Sequence, residues 1–336
     1  MRLFVVLTKR VLGLAAVLLA MSILAFSLIN LIPGDPARVA AGPGARPEQV
    51  EALRHEYGLD EPLVSQFSLY IRRVLSGDLG NSLHTRRSIN QDLLEFAPVT
   101  LELVTLSVLA VVLLGFPLGM VLGAFKGSWT HRVADALSLV GLSAPPFLVA
   151  ILLQLIFFAQ LGWFPAIGRL DQDLTAPTGP TGSYIVDGLI HGQLAVSWNA
   201  LLHLVLPCIA LSIGPLAASA RMMRSSLSDA LDEEFVRTAR LHGLSETRVI
   251  FGHALPAALL APISLLGLQI GSLIAWSIIV ELIFGLPGMG RYLLESIASK
   301  DLQAILSTTL FIGVVFVLAN AAVDAISSIA DPRVRV

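Results

Sequence analysis

Residues 103–125 read LVTLSVLAVVLLGFPLGMVLGAF and contain no Asp, Glu, Lys or Arg. About 20 apolar residues are enough for a helix to cross the hydrocarbon core of a bilayer, so this stretch predicts a transmembrane helix. A backbone in lipid must satisfy its own N–H and C=O groups, and no barrel-like alternation is visible, so helices are expected throughout. Five more stretches are equally free of charge: residues 11–34, 136–168, 188–220, 249–280 and 302–323. We therefore predict an all-α integral membrane protein with six transmembrane helices.

The composition of the 336-residue chain supports this class. Hydrophobic residues make up 55% and charged residues 14%, and the mean hydropathy is +0.79, which is outside the range of soluble domains. The net charge of −2 offers no excess of Lys and Arg, so nucleic acid is not an expected partner. A single cysteine, Cys208, can form neither an internal disulfide nor a zinc site, and no metal site is predicted.

The distribution of Lys and Arg predicts the orientation of the helices. Positive charges concentrate at the amino end, in two of the connections and at the carboxyl end. These residues are Arg2, Lys9 and Arg10; Lys126 and Arg132; Arg221, Arg224, Arg237, Arg240 and Arg248; and Arg333 and Arg335. Both termini should therefore be cytoplasmic. The first apolar stretch is long enough to span and lacks a clear cleavage site, so we interpret it as a retained anchor rather than a secretory signal.

The segments predicted to lie outside the cytoplasm carry structure of their own. Residues 63–75 place apolar side chains at helical spacing, which predicts an amphipathic helix over the outer ends of the spans. Residues 175–182 are rich in Thr, Gly and Pro and predict exposed turns, so Ser183 beside them is expected to tolerate substitution. The glycines of residues 284–301 favour a tight, packed segment over a free loop. We expect the fourth transmembrane helix to begin near Asn199.

Small and polar residues inside the spans are assigned structural roles. Gly115, Gly119 and Gly123, at four-residue spacing, mark a face where two helix backbones approach closely. Amides within the spans are expected to make interhelical hydrogen bonds. Carboxylates near the span ends are expected to be hydrated at the interface or to contact helix ends. The amides are Asn30, Gln154, Gln269 and Asn320, and the carboxylates are Glu102, Asp135, Glu281 and Asp324.

Sequence signatures of catalysis are missing from the chain. It contains no His-Glu-x-x-His, no Gly-x-Ser-x-Gly and no phosphate-binding Gly-x-x-x-x-Gly-Lys-Ser/Thr. Residues 123–128 approach the last motif but have the wrong spacing and follow a span instead of a strand. We predict that the chain has no catalytic residues and that any ATP-driven work is done by another subunit. No residues of a substrate path are predicted.

The most charged stretch, residues 229–248, joins the fourth and fifth predicted spans on the cytoplasmic side. We expect a helix here with apolar residues at Phe235, Ala239 and Leu244 and a break at Gly243. Glycine adopts positive φ easily, which permits a sharp reversal of the chain. A helix–turn–helix that projects from the bundle would be a rigid handle. The alternative is an ordinary solvated loop, and composition alone does not separate the two.

The residues of this loop resemble a known family. Residues 234–244, EFVRTARLHGL, and 253–256, HALP, look like the so-called EAA loop of permease subunits from binding-protein-dependent ABC importers. Further motifs resemble the B-type permease of dipeptide and oligopeptide importers over nearly the whole chain. They are LIPGDP (31–36), YGLDEP (57–62), GDLGNS (77–82), ARMMRSS (220–226), ELIFGLPGMGR (281–291) and DPR (331–333).

This resemblance implies a type I ABC importer permease fold. Residues 1–97 would form the first transmembrane helix with the external amphipathic segment, and residues 98–336 a five-helix core with a cytoplasmic coupling loop at 225–256. The loop would sit in a groove of an ATPase subunit. Its implied coupling residues are Glu234, Phe235, Arg237, Thr238, Ala239, Arg240, Gly243, Leu244 and Pro256. Arg237-Thr238-Ala239 stands where the general pattern has Glu-Ala-Ala, so no role is transferred to that glutamate.

The resemblance also implies the partners and the setting. A second homologous permease, two ATPase subunits carrying ATP and Mg²⁺, and an extracytoplasmic solute-binding protein would assemble with this chain in the bacterial inner membrane. The chain itself would bind no cofactor, and the cargo would be peptides. Nickel, glutathione and other small-solute importers share this permease type and remain alternatives. A membrane scaffold or an ion-coupled carrier without an ATPase is the rival from another class.

Overall fold

The computed structural model describes residues 13, 15–24, 26–27, 36–41, 44–56, 60–124, 141 and 143–330. Helix is the only extended regular structure in these residues, and a single bridge pairs Asn81 with Ser88. The all-α prediction is therefore confirmed. The predicted residues outside the described ranges are Arg2, Lys9, Arg10, Asn30, Lys126, Arg132, Asp135, Arg333 and Arg335.

Thirteen helices are used below to describe the chain within these ranges. They are α1 (Ala15–Leu24), α2 (Pro36–Ala41), α3 (Pro47–Glu56), α4 (Leu63–Leu75), α5 (Ile89–Ala124), α6 (Pro146–Gln160), α7 (Tyr184–Ile190), α8 (Leu194–Asp232), α9 (Glu234–Leu241), α10 (residues 246–258), α11 (Leu260–Ile283), α12 (Met289–Ala298) and α13 (Leu302–Ala330). Wider π-helical turns occur within α5, at the end of α6 and within α10, at Val111–Gly115, Gln154–Gln160 and Ile250–Ala254.

Four of these helices, α5, α8, α11 and α13, are long and apolar enough to cross a membrane. They correspond to the second, fourth, fifth and sixth predicted spans. The first and third predicted spans lie partly outside the described residues, and their described parts, α1 and α6, are shorter apolar helices. The predicted start of the fourth span is wrong, because α8 begins at Leu194 and not near Asn199. Its 39 residues also continue to Asp232, well into the predicted cytoplasmic loop.

The chain forms two compact units, Met1–Pro98 with Pro287–Val317, and Val99–Leu286 with Leu318–Val336. In the second unit, α5 packs closely on α8 through the predicted glycine face. A Cβ atom placed on Gly119 would overlap the carbonyl oxygen of Ala220 and lie 2.7 Å from the Cβ atom of Met223. A Cβ atom on Gly123 would lie 2.9 Å from the carbonyl oxygen of Arg224. The close helix contact is thus confirmed, and its partner helix belongs to this chain.

Two of the four amides predicted to join helices, Gln269 and Gln154, do so in the second unit. Gln269 on α11 accepts a hydrogen bond from the Ser219 hydroxyl on α8 (3.0 Å), and its amide nitrogen donates to the Pro215 carbonyl oxygen (3.3 Å). Gln154 on α6 donates to the carbonyl oxygens of Ala166 (2.8 Å) and Ile283 (3.1 Å). These contacts join three helices through groups that would otherwise stay unpaired in an apolar interior.

The external segment between α6 and α8 is anchored by a buried cluster around Glu102 of α5. The Glu102 carboxylate accepts hydrogen bonds from the Ser183 hydroxyl (2.5 Å) and from the Ile185 N–H (3.1 Å), and it pairs with Arg169 (3.1 Å). Ser183 also caps α7 by accepting from the Val186 N–H. The expectation that Ser183 tolerates substitution is therefore wrong, because its side chain is buried and joins two elements. Turn composition carries no information about such a distant partner.

A second carboxylate holds the turn that precedes α7. Burial opposes the ionisation of Asp187, but hydrogen bonds from the Thr181 hydroxyl and from the backbone N–H groups of Thr181 and Gly182 outweigh it and lower the pKa of this carboxyl. Asp187 is fully buried, whereas Thr181 is exposed. The predicted turns are therefore exposed over most of their length but tied down at their end.

In the first unit, buried carboxylates hold the segment that follows α4. Asp301 accepts hydrogen bonds from the Ser82 hydroxyl (2.7 Å) and from the Leu83 N–H (2.5 Å). Asp92 accepts from the Tyr292 hydroxyl (2.9 Å), and burial together with this carboxylate raises the pKa of Tyr292. The glycine-rich segment before Tyr292 leads directly into α12, whose Tyr292 is completely buried. It is packed as predicted.

The predicted amphipathic helix is α4, whose bounds match residues 63–75. Phe67 and Tyr70 form an aromatic cluster with Phe26, at centroid distances of 5.4 and 6.4 Å. Burial raises the pKa of Tyr70 to about 12. The ends of the same helix leave Val64 and Leu75 exposed.

Candidate functional site

The candidate site is a helical hairpin at the end of α8. An α-helix rises about 1.5 Å per residue, so the 39 residues of α8 extend roughly 60 Å, about twice the thickness of a bilayer core. The helix stops at Asp232, and Glu233 adopts an extended conformation (φ −69°, ψ 150°) from which α9 begins. The hairpin therefore lies at the tip of a continuous rod that starts in the membrane-spanning region.

One face of α9 packs onto the end of this rod. Val236 is completely buried and Ala239 nearly so, in a cluster with Met223 and Leu227 of α8 and Val249 of α10. Leu244 packs against the same cluster. Val236 and Ala239 are three residues apart, which places them on one side of a helix. The hairpin is therefore held by an apolar core of its own.

The hairpin turns at Gly243. Its φ is +75°, the left-handed conformation that the sequence predicts for this glycine. The Gly243 N–H donates to the carbonyl oxygen of Arg240 (2.9 Å), and the Leu244 N–H donates to that of Ala239 (3.4 Å). This pair of bonds is the Schellman motif, which ends a helix with glycine in the left-handed region. The reversal is a defined turn and not a flexible loop.

Arg240 ties the two arms of the hairpin together. Its guanidinium makes a bidentate contact with Glu246 at the start of α10 (2.9 and 3.2 Å) and donates to the Leu231 carbonyl oxygen at the end of α8 (3.4 Å). Two parallel N–H···O bonds add geometric definition that a lysine would lack. The Arg240 side chain is 39% exposed, so it contributes orientation more than stability. Arg240 is among the coupling residues predicted from the sequence, but Glu246 is not, because its only signal is an acidic side chain in the first turn of a helix.

The rest of α9 faces outward. Glu234, Phe235, Arg237 and Thr238 are exposed, and Phe235 presents 46% of its surface. Leu241, which the sequence analysis did not single out, is 88% exposed. Thr238 bonds only back to the Glu234 carbonyl oxygen. Apolar side chains on an otherwise charged, rigid surface are typical of a protein-binding patch.

Pro256 lies apart from the turn, on α10. A proline has no N–H to donate to the carbonyl oxygen four residues earlier, here that of Gly252. The π-helical turn Ile250–Ala254 precedes it, and such turns widen a helix where the regular bonding ladder is interrupted. Pro256 itself is exposed. The structure thus brings eight of the nine predicted residues together in the hairpin and its Schellman turn, and it places the ninth on the adjoining helix.

The structure offers one group of three metal-ligand side chains within the described ranges, Glu51, His55 and Asp60, whose ligand atoms lie within 4.8 Å of one another. All three residues are exposed, and such surface groups are common without an ion. The hairpin itself presents charged and apolar side chains on a rigid support, which is the chemistry of a docking surface.

Comparison with protein-family models identifies the chain over most of its length. The model described as the inner membrane component of binding-protein-dependent transport systems matches residues 115–336, which include the whole hairpin. A second model, for the N-terminal part of the membrane component of such systems, matches residues 2–104.

Relatives match from end to end. A dipeptide transport system permease protein of Alkalihalophilus pseudofirmus is 38% identical over 97% of this chain and 98% of its own length. A probable D,D-dipeptide transport system permease protein of Escherichia coli is 36% identical, over 98% and 97%. A glutathione transport system permease protein of Salmonella choleraesuis is 36% identical, over 97% of both chains. Together with the four described helices that are long and apolar enough to cross a membrane, these matches show that the chain is a multi-pass inner-membrane permease and belongs to the family of inner-membrane components of binding-protein-dependent transport systems.

Proposed function

We propose that this chain is a permease subunit of an ATP-driven ABC importer that moves peptides delivered by an external solute-binding protein. The proposal rests on the hairpin at the end of α8. One face of its helix α9 packs on an apolar core, and the other face is exposed. A continuous helix transmits a displacement at its tip to the spanning region. The relatives named for dipeptide transport support the choice of cargo.

Under this proposal the hairpin is the coupling element. The exposed residues Glu234, Phe235, Arg237 and Thr238 would enter a groove of an ATPase subunit, while the Gly243 turn and the Arg240 brace keep their geometry fixed. When the ATPases close on ATP, the hairpin would move and α8 would carry the movement into the bundle. The chain would therefore form part of the wall of the import path and transmit the movement of the hairpin through α8. ATP and Mg²⁺ would bind to the ATPase subunits.

The proposed assembly contains this chain, a second homologous permease, two ATPases and the solute-binding protein. Within the chain, residues 1–97 would form the first span and the external amphipathic segment, and residues 98–336 the five-helix core. Six spans and cytoplasmic termini complete the type I permease arrangement. Among the described residues, four helices of sufficient length and two shorter apolar helices support this proposal.

Glutathione is the second candidate cargo, because relatives with glutathione transport names match over the same length and at similar identity. Glutathione is itself a small peptide, so the two candidates share their chemistry. A nickel importer and a carrier without ATPase subunits are further rivals. Uptake of a dipeptide, glutathione and Ni²⁺ is measured in the same vesicles, and the solute taken up fastest identifies the cargo. Uptake that does not depend on ATP would indicate a carrier without ATPase subunits.

Nucleotide hydrolysis should appear only in the assembled complex. We expect the purified chain to hydrolyse no more ATP than a mock preparation, because it contains no phosphate-binding loop. The complex with its ATPases should hydrolyse ATP faster when the binding protein and a dipeptide are added. Turnover by the isolated chain, or dipeptide uptake that continues without the ATPases, would refute the proposal.

Thiol labelling provides the topology test. In a Cys208→Ser background, a cysteine at the exposed Thr178 should react with a membrane-impermeant maleimide from outside, and one at the exposed Ser245 only after the membrane is opened. The nearby Ser183 would be a poor reporter because it is buried. Labelling of both positions from the same side contradicts the six-span topology.

A further inference from the structure

A cavity of about 380 Å³ lies within the second unit, halfway along its membrane-spanning helices. Its walls are the start of α6, the middle of α8 around Gly214 and the middle of α11 between Gln269 and Trp276. Ligand pockets in proteins have volumes of about 300 to 1,000 Å³ and often lie between the helices of a bundle. The cavity is therefore large enough for a small ligand, and it lies apart from the coupling hairpin.

The described lining of the cavity is mostly apolar, with three polar side chains and no charged one. Among the described residues around it, Ser143, Gln269 and Ser272 contribute polar side chains and none contributes a charge. Trp276 adds an aromatic ring that is 39% exposed. A wall without charged groups offers no ion pair, so it cannot select cargo side chains by charge complementarity.

Gln269 retains hydrogen-bonding capacity toward the cavity. A primary amide carries two N–H donors and two acceptor lone pairs. The protein uses one of each, for the Pro215 carbonyl oxygen (3.3 Å) and the Ser219 hydroxyl (3.0 Å). One donor and one acceptor remain, which is the complement of a peptide group with its single N–H and its C=O.

The opposite wall offers a further acceptor. Pro215 lies inside α8 and has no N–H, so the carbonyl oxygen of Leu211 lacks its usual helical donor. Leu211 and Pro215 both line the cavity. On the α11 wall, the Ser272 hydroxyl donates to the Gln269 carbonyl oxygen (2.7 Å), which leaves its own lone pairs to accept. Residues with an unused acceptor therefore line both the α8 wall and the α11 wall.

We propose that this cavity is a binding site on the import path and that it binds the main chain of the peptide cargo. Gln269 pairs with a peptide group, Ser272 and the Leu211 carbonyl oxygen accept further N–H donors, and Trp276 covers an apolar part of the cargo. The inference rests on the proposed function and adds to it the residues of the path. Under this proposal the permease recognises the backbone that all peptides share, and the binding protein selects the side chains.

Filling the cavity tests its place on the path. In the complete complex in proteoliposomes, Ser272→Trp should lower the initial rate of dipeptide uptake at least about tenfold, because the indole occupies the space where the cargo binds. Ser264→Trp is the matched control, since Ser264 is an exposed serine two turns earlier on α11 that does not line the cavity. Both variants should be recovered from membranes together with the ATPases at the wild-type yield, which shows that the complex assembles. Wild-type uptake by Ser272→Trp overturns the proposal.

Recognition of the main chain is tested by a ratio of rates. Alanyl-sarcosine carries a methyl group in place of the peptide N–H hydrogen of alanyl-glycine. The wild-type complex should prefer alanyl-glycine, and Gln269→Met should lower that preference about fivefold, the effect of one hydrogen bond. Any selectivity of the binding protein cancels, because it is the same in both complexes. An unchanged ratio, including an equal loss of both substrates, overturns the assignment to the main chain.

The two levels of the proposal fail in different ways. If wild-type complexes import no peptide, the proposed function is wrong. If wild-type complexes import peptides and Ser272→Trp or Gln269→Met behaves like the wild type in these assays, only the cavity assignment is wrong.

Discussion

Replacing Gly243 with Val is expected to abolish peptide uptake while the chain still inserts into the membrane. Gly243 has a φ of +75°, and a β-branched residue held in that region costs about 1 to 3 kcal/mol. No atom of the described residues lies within 4 Å of a Cβ added there, so the strain comes from the backbone and not from crowding. The Schellman turn should open, and α9 should lose its fixed position against α8.

Gly243→Asn is the matched control, because asparagine is the residue other than glycine that most readily occupies this conformation at helix ends. The measurements are uptake in vesicles and recovery of the ATPase with the purified permease. Asn should retain most of both, and Val should lose uptake and weaken ATPase binding. If Gly243→Val binds the ATPase and imports at the wild-type rate, the hairpin is an ordinary solvated connection.

Gly119→Ala is expected to destabilise the bundle itself. The added Cβ would overlap the backbone carbonyl of Ala220 and press on the Cβ atom of Met223, and backbone atoms have little room to move. Overpacking of this kind costs about 1 to 3 kcal/mol. The mutant should show a lower unfolding midpoint in detergent and a lower yield from membranes.

The control is Gly214→Ala on α8, where the nearest atom to an added Cβ is the Gly141 carbonyl oxygen at an ordinary 3.6 Å. At that position alanine should be neutral or slightly stabilising, because its free energy in a helix interior is about 1 kcal/mol more favourable than that of glycine. Equal unfolding midpoints for the two variants would show that α5 and α8 can separate at no cost, contrary to the observed packing.

The two predictions differ in what the sequence could contribute. The positive φ of Gly243 is a local property, because a charged helix followed by glycine before another helix needs a reversal that only a few residues permit. The glycine spacing of residues 115–123 likewise indicated a close contact. Its partner, α8, could not be named, since small residues at four-residue spacing fit any helix that presents a flat face.

The expectation for Ser183 fails for a related reason. The Thr, Gly and Pro content of residues 175–182 describes how the backbone turns, and most of that segment is indeed exposed. Whether the next side chain is buried depends on Glu102, which lies 81 positions earlier. For Glu102 and Glu281 the sequence allowed hydration or a helix-end contact. Glu102 makes the helix-end contact, with the Ile185 N–H at the start of α7 (3.1 Å), whereas Glu281 is completely buried and accepts from the Thr100 hydroxyl (2.5 Å).

The sequence by itself determined the all-α membrane class, the four long apolar helices, the amphipathic α4 and the turn at Gly243, because hydropathy, helical period and glycine conformation act over a few residues. Only the tertiary structure decided that Arg240 braces Glu246, that Gln269 and Ser272 line a cavity, and that α8 continues unbroken from the spanning region to the hairpin. Each of these depends on which helices pack together, and a one-dimensional pattern carries no measure of the distance between residues far apart in the chain.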